Sequence, residues 1–304
     1  MKNKILTGLL LVLIGGWGSL SAQSAGSNYA RQVNTLIGTK GVGLTSGYLY
    51  PGATYPYGMV QFTPSYFSKR SGFVINQLSG GGCEHMGNFP TFPVKGKLKM
   101  SPDNILNYRI NISEEKGHAG YYEAKVQEDI HAKLTVTERT GMASYEYPAD
   151  QQYGTVIIGG GISATPIEQA AIVITAPNKC EGYAEGGNFC GLRTPYKVYF
   201  VAEFDTDALE SGTWKRDELK PNTTFAEGEY SGVYFTFDVN KKKNIQYKIG
   251  VSYVSVENAR ENLKAENTGW DFLQIQNQAE SKWNHYLGKI EVEGTNPDRT
   301  TQFY

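Results

Sequence analysis

The segment Tyr196-Lys197-Val198-Tyr199-Phe200-Val201-Ala202-Glu203-Phe204 decides the fold class. Its apolar side chains stand at alternate positions, at 196, 198, 200, 202 and 204. A period of two over five such positions predicts a β-strand with one buried face. The same alternation returns in residues 233–239 and 245–253. Residues 155–158 and 171–174 are instead continuous apolar runs, which suit inner strands.

Outward from this segment, the chain continues to favour strands between residues 28 and 254. Turn signals recur, such as Pro148-Ala149-Asp150 and Pro221-Asn222, and no helical pattern alternates with the strands. Many strands with short connections predict a mainly β protein, a large two-sheet antiparallel β-sandwich.

The period changes after residue 254. Ser255 can cap a helix that carries Val256, Ala259 and Leu263 on one face. A second helical stripe follows at steps of three or four residues, formed by Phe272, Ile275, Ala279 and Trp283. These two helices predict a linker over residues 255–288. Lys289–Val292 is then predicted to be a short strand-like piece.

Composition excludes two classes of protein. The 304 residues are 40% hydrophobic and 19% charged, with a formal net charge of −1. A disordered chain would be poorer in apolar residues and more strongly charged. General nucleic-acid binding needs a basic surface, which this balance does not provide, so no nucleic-acid partner is expected.

Residues 1–22 have the pattern of a signal peptide. Lys2 and Lys4 precede a short apolar run, and Ser19-Leu20-Ser21-Ala22 has the small residues of a cleavage site. The apolar run is shorter than the roughly 20 residues of a membrane-spanning helix. The sequence therefore predicts export to the periplasm or the medium and no membrane span.

The chain has three cysteines, Cys83, Cys180 and Cys190. An exported protein can form disulfides. Cys180 and Cys190 flank a glycine-rich loop, so the spacing is compatible with a bridge between them and leaves Cys83 over. No Cys-x-x-Cys and no paired histidines are present, so no metal site is predicted in this chain.

A second glycine-rich stretch, between Tyr50 and Pro93, is the candidate binding segment. Glycines let a backbone approach a ligand closely, and amide side chains suit sugar hydroxyls. The candidate substrate-binding residues are Asn76, Gln77, Gly80, Gly81, Gly82, Cys83 and Glu84. The structural alternative is a long turn packed by its own aromatic residues. Glu84-His85 is the acid–base pair of this loop and is a weaker candidate for catalysis.

Several of these segments resemble glycoside hydrolase family 92. The similar stretches, in order, are Val33–Thr39, Tyr50–Ala53, Tyr57–Gln61 and Leu78–Cys83. The resemblance implies an exo-acting α-mannosidase with an N-terminal β-sandwich, a helical linker and an (α/α)6 barrel. It also implies N-glycan substrates, dependence on calcium and an inverting mechanism, in which two carboxyl groups stand about 6.5–9.5 Å apart.

In the family, these carboxylates and the calcium ligands lie in the barrel, and the sandwich forms part of the sugar pocket. Residues 289–304 resemble the barrel's first residues, so the sequence predicts a chain truncated before the barrel, without catalytic carboxylates. Its expected partners are a mannose-containing glycan and the missing barrel, which would cover the stripe of the second helix. Ile75-Asn76-Gln77 departs from the family's His-Thr-His-type run. The alternative function is a stand-alone exported glycan-binding module.

Overall fold

A computed structural model describes residues 28–39, 49–65, 72–103, 111–294 and 296–304. The predicted signal peptide lies outside the described residues. The first described element is a 3-10 turn, Tyr29–Gln32. No helix in the described ranges is long and apolar enough to cross a membrane.

Two antiparallel sheets form most of the described chain, which confirms the predicted β-sandwich. The eight-stranded sheet has the order β1-β2-β3-β4-β9-β16-β13-β14, and the nine-stranded sheet has the order β15-β10-β11-β12-β17-β8-β7-β6-β5. The strands are β1 (Ala53–Thr54), β2 (Gln61–Pro64), β3 (Phe73–Val74), β4 (Thr91–Lys95), β5 (Ile112–His118), β6 (Tyr121–Val126), β7 (Ile130–Val136), β8 (Thr140–Glu146), β9 (Tyr153–Gly159), β10 (Ile167–Ala176), β11 (Lys179–Phe189), β12 (Leu192–Phe204), β13 (Glu210–Lys215), β14 (Glu218–Pro221), β15 (Phe225–Glu227), β16 (Ser231–Asp238) and β17 (Asn244–Ser252).

The core lies between the two sheets. In β12, Val198, Phe200 and Phe204 are fully buried, as their alternation predicts. The ring of Phe204 lies 5.0 Å from that of Phe235, which belongs to the opposite sheet. Buried aromatic rings from both sheets thus close the sandwich, and their apolar area is its main source of stability.

Three helices follow the last strand: α1 (Val256–Glu266), α2 (Phe272–Leu287) and α3 (Pro297–Phe303). The predicted cap is confirmed, because the Ser255 side chain accepts a hydrogen bond from the backbone N–H of Asn258. Helix α1 packs Ala259 and Leu263 against Val201 on the outer face of β12.

The sandwich covers half of the predicted stripe of α2, and Phe272 and Trp283 are only half-buried. Ile275 and Ala279 are buried against the sandwich itself. At Gly120, with φ +86°, a Cβ would lie 2.9 Å from the Cβ of Ala279, so glycine permits the close approach of the helix. The sandwich and α2 therefore share one packed interface.

Residues 289–292 form no strand, contrary to the sequence prediction. A strand needs a neighbouring strand for its backbone hydrogen bonds, and this segment is bonded instead by a side chain. The Tyr304 hydroxyl accepts from the Val292 N–H and donates to the Ile290 carbonyl.

The bridge between Cys180 and Cys190 that the sequence spacing allows is not formed. The disulfide joins Cys83 to Cys190 instead. Cys180 is buried in β11 opposite Ala202 of β12. Along an extended strand it stands about 30 Å from Cys190. That is far beyond the Cα separation of about 4.4–6.8 Å that a disulfide can span.

Candidate functional site

A cleft of about 470 Å³ opens where the start of the sandwich meets α2. It combines the predicted binding residues Asn76 and Gln77 with residues of the Tyr55–Gln61 turn and with Trp283 of α2. Its lining residues are Thr54, Tyr55, Gly58, Met59, Val60, Gln61, Asn76, Gln77, Leu78, Ser79, Met86, Tyr253 and Trp283.

Trp283 connects the two sides of this cleft. Its indole N–H donates to the backbone carbonyl of Thr54, with an N···O distance of 2.7 Å. At the rim, Tyr57 is 87% exposed and meets the Tyr286 ring edge-on at 5.3 Å. An exposed aromatic ring beside a cleft offers an apolar face to a ligand.

The floor of the cleft is a buried hydrogen-bonded cluster. The Asn76 side chain accepts from the backbone N–H of Asn88 at 2.8 Å and donates to the side-chain oxygen of Asn88 at 3.0 Å. It also donates to the Tyr253 hydroxyl at 3.3 Å, and the Tyr196 hydroxyl donates to Asn88 at 2.9 Å. Burial raises the pKa of Tyr196 to about 12, so its hydroxyl stays protonated at neutral pH and remains a donor.

The side-chain amide of Asn76 is therefore already hydrogen-bonded within the protein, whereas that of Gln77 is not. Gln77 is only 1% exposed, and neither its Oε1 nor its Nε2 has a hydrogen-bond partner among the described residues. The carboxamide lies beside Gly87, where a Cβ would stand 3.5 Å from Nε2. A buried amide without partners costs stability, so its presence needs an explanation, of which a functional role is one.

Residues 78–84, here called the glycine loop, pass over the edge of the cleft. Gly80 and Gly82 are exposed, and Cys83 is half-buried in its disulfide with Cys190. Glu84 is half-buried as well. His85 is buried, with Nδ1 3.4 Å from the Asn188 carbonyl oxygen and its ring 4.6 Å from that of Phe189. Packing thus accounts for His85.

Three of the ten described non-glycine residues with a positive φ lie in or next to the segments that line the cleft. Tyr57, Met86 and Phe89 have φ values of 61°, 54° and 53°, in the left-handed region that favours glycine. Such conformations persist only where the surrounding structure imposes them.

The groups that line the cleft suit a neutral polar ligand. Its lining, as described above, contains hydroxyl, amide and aromatic groups but no Asp or Glu. Across the described ranges, no three His, Cys, Asp or Glu side chains come close enough to hold a metal ion. These residues therefore do not fit the calcium site implied by the family resemblance.

Sequence reasoning found only part of this site. It selected Asn76, Gln77 and the glycine loop, but missed Tyr253 and Trp283, which lie far along the chain, just after the last strand of the sandwich and in α2. Trp283 was assigned to an apolar stripe, and no sequence pattern indicated that its N–H would bond to the Thr54 carbonyl in the cleft wall.

A second groove runs along the exposed face of α2. Its lining residues are Tyr55, Asp271, Leu273, Gln274, Asn277, Gln278, Ser281, Lys282 and His285.

The family assignment follows from comparison with known families. Residues 32–252 match the glycosyl hydrolase family 92 N-terminal domain, and residues 258–304 match the family 92 catalytic domain. The chain therefore belongs to glycosyl hydrolase family 92.

Similar proteins are consistent with this assignment. An uncharacterized secreted glycosidase of Arthroderma benhamiae is 26% identical, over 86% of this chain and 38% of that protein. An α-mannosidase of family 92 from Bacteroides thetaiotaomicron superposes with a TM-score of 0.78 at 24% identity, over 91% of this chain and 41% of its own. An inverting mannosidase from the same organism gives 0.78 at 24% identity, over 90% and 38%. The chain thus spans about two fifths of the length of these relatives.

Proposed function

We propose that this chain is the sugar-binding sandwich portion of an exported exo-α-mannosidase and that the cleft takes a mannose residue of a glycan, such as an N-glycan. The observation that supports this proposal is the cleft itself. Amide, hydroxyl and aromatic groups converge there, at the junction between the sandwich and the segment that matches the catalytic domain. Sugar sites combine such polar groups with aromatic faces.

The proposed division of the chain is a signal peptide at 1–22, a sandwich at 28–254, a helical linker at 255–288 and the start of the catalytic domain at 289–304. In this proposal the backbone of the glycine loop contacts the sugar, and the buried side chains of Asn76 and Gln77 shape the floor beneath it. The cleft orients the sugar and excludes water from one side. The inverting acid–base chemistry and its calcium belong to the family's barrel, so no step on this chain passes through a metal.

The test uses a variant that fills the cleft. Ser79 lines the cleft and is exposed, so Ser79→Trp should occupy it without disturbing the core. Ser281→Trp is the matched control, because Ser281 is an exposed serine that lines the second groove. In titrations with α-1,2-mannobiose, we expect Ser79→Trp to abolish binding and Ser281→Trp to bind as the wild type does. Equal binding by both variants would contradict the proposed cleft.

A stand-alone glycan-binding module remains the second candidate, because its fold would be the same. The two functions differ in affinity. A cleft open on one side buries less of a ligand than the 70–90% that is usual for a complete site. Part of an enzyme should then bind mannose with a Kd of about 1 mM or weaker. Micromolar affinity would favour the stand-alone module.

A further inference from the structure

The glycine loop has few backbone contacts with the rest of the protein. Among the described residues, no backbone–backbone hydrogen bond joins residues 78–84 to another segment, and the Tyr50 N–H donates to Ser79 Oγ at 3.4 Å at the start of the loop. A Cβ at Gly82 would meet no atom within 4 Å, and one at Gly80 would meet only a Leu49 side-chain atom at 3.8 Å. The loop nevertheless borders the cleft, because Leu78 and Ser79 line it before the glycines and Met86 lines it after them.

One covalent bond joins this loop to a rigid element. Cys83 is bonded to Cys190, which lies at the turn between β11 and β12. These two long strands pair through ten positions, so their turn is a fixed support. Beside the disulfide, Phe189 contributes a ring atom 3.7 Å from the Cβ position of Gly81. The turn of this hairpin is therefore a covalent anchor of the loop.

We propose that the Cys83–Cys190 disulfide is a positioning element that holds the glycine loop in the geometry that binds the glycan, so that the full affinity for the glycan requires an oxidising compartment. The inference rests on the proposed function of the cleft. Without the bond, the ligand itself would have to order the loop, and that entropy cost weakens binding.

The proposed redox step is thiol–disulfide exchange with a dithiol. The S–S bond breaks, each sulfur of Cys83 and Cys190 leaves as a thiol, and the dithiol is oxidised to its own disulfide. Cys180 does not compete for these sulfurs. It is fully buried, and burial raises the pKa of its thiol, so the attacking thiolate is not formed.

The experiment compares the full-length wild type with Cys83→Ser/Cys190→Ser, and Cys180→Ala serves as the cysteine control outside the disulfide. Backbone ¹⁵N order parameters of Gly80, Gly81 and Gly82 are measured by NMR together with the affinity for α-1,2-mannobiose. We expect the loop order parameters of the double variant to fall below about 0.6 while those of the sheets stay near about 0.85. We also expect about tenfold weaker binding, which corresponds to ordering a single further residue. Cys180→Ala should leave both the loop order parameters and the affinity unchanged.

A second arm protects the test against a variant that fails to fold. The folded wild type is treated with dithiothreitol until Cys83 and Cys190 become alkylatable, and the same two quantities are measured. Unchanged loop order parameters, or order parameters that fall throughout the chain, would overturn the positioning role. If the wild-type protein does not bind the sugar, the proposed function is refuted instead, and the loop order parameters still decide the inference.

Discussion

Trp283 in α2 donates a hydrogen bond to the backbone carbonyl of Thr54 in β1, across 2.7 Å. Both residues line the same cleft. Helix α2 is therefore more than a connection between domains, since it completes one wall of the candidate site and is held there by the sandwich.

We expect Trp283→Phe to weaken this wall. The substitution keeps a ring in the interface but leaves the Thr54 carbonyl without its donor, which should lower stability by about 1–3 kcal/mol. Thermal unfolding and hydrogen exchange of α2 measure the effect. Leu273→Ala, on the exposed side of the same helix, is the control and should change stability by less than about 0.5 kcal/mol. Equal effects of the two substitutions would contradict the structural role of the bond.

Gln77→Met should separate stability from binding. Methionine is similar in length but has no strong donor or acceptor, so it removes a buried amide that lacks partners. Replacing such a group is expected to be neutral or to stabilise the fold by up to about 1–3 kcal/mol, while sugar binding weakens. Gln169→Met, at an exposed position of β10, is the matched control and should alter neither quantity. A Gln77→Met protein that loses stability but keeps its sugar affinity would assign Gln77 a purely structural role.

The sequence predicts the fold far better than the site. Alternating residues such as those of β12 report burial directly, because period two is a property of the strand alone. The cleft joins Gln77 to Tyr253 and Trp283, and only the strand order and the packing of α2 bring them together. The disulfide was mispredicted for the same reason. Cys180 and Cys190 are close in sequence, but an extended strand separates them, while Cys83 reaches Cys190 through the fold.

Stability should fall on acidification, through the cluster that holds α2. Buried Glu280 accepts from Arg31 at 3.1 Å and faces His118 at 3.6 Å. Burial opposes the charge on Glu280, but the hydrogen bonds from Arg31 and Gln276 outweigh it and hold its pKa below the usual 4.5. Burial lowers the pKa of His118 below 6.5. The charges of Glu280 and Glu123 raise this pKa but do not offset the burial, and the charge of Arg31 lowers it slightly further.

Both shifts have the same sign. The unfolded chain binds these protons more readily than the folded chain, so the stabilisation is complete above pH 6.5 and is lost as the pH falls through the folded pKa values. Melting temperatures between pH 7.5 and about 3.5 should decline, and Glu280→Gln should melt lower at neutral pH and flatten the acidic part of the curve. Glu114→Gln, in an exposed pair with Lys125, should follow the wild type. A wild-type profile that rises on acidification would contradict the account.

We expect no release of mannose from an α-1,2-linked disaccharide by this chain alone, with or without added calcium. The cleft described here has no carboxylate in its lining, and general acid and base groups each contribute about 10²–10⁴-fold. Glu84→Gln is the decisive variant. Hydrolysis by the wild type that disappears in this variant would restore the Glu84–His85 pair as a catalytic candidate.

The central claim is that the cleft between β1 and α2 binds mannose, and an NMR titration tests it most directly. α-1,2-Mannobiose is added to the isotope-labelled chain while backbone amides and the Trp283 indole signal are followed. The account predicts saturable shifts at Leu78–Gly82 and Trp283, with a Kd of about 1 mM or weaker. Saturation with no shift at these residues, or shifts confined to the exposed strands of the outer sheet face, would contradict it.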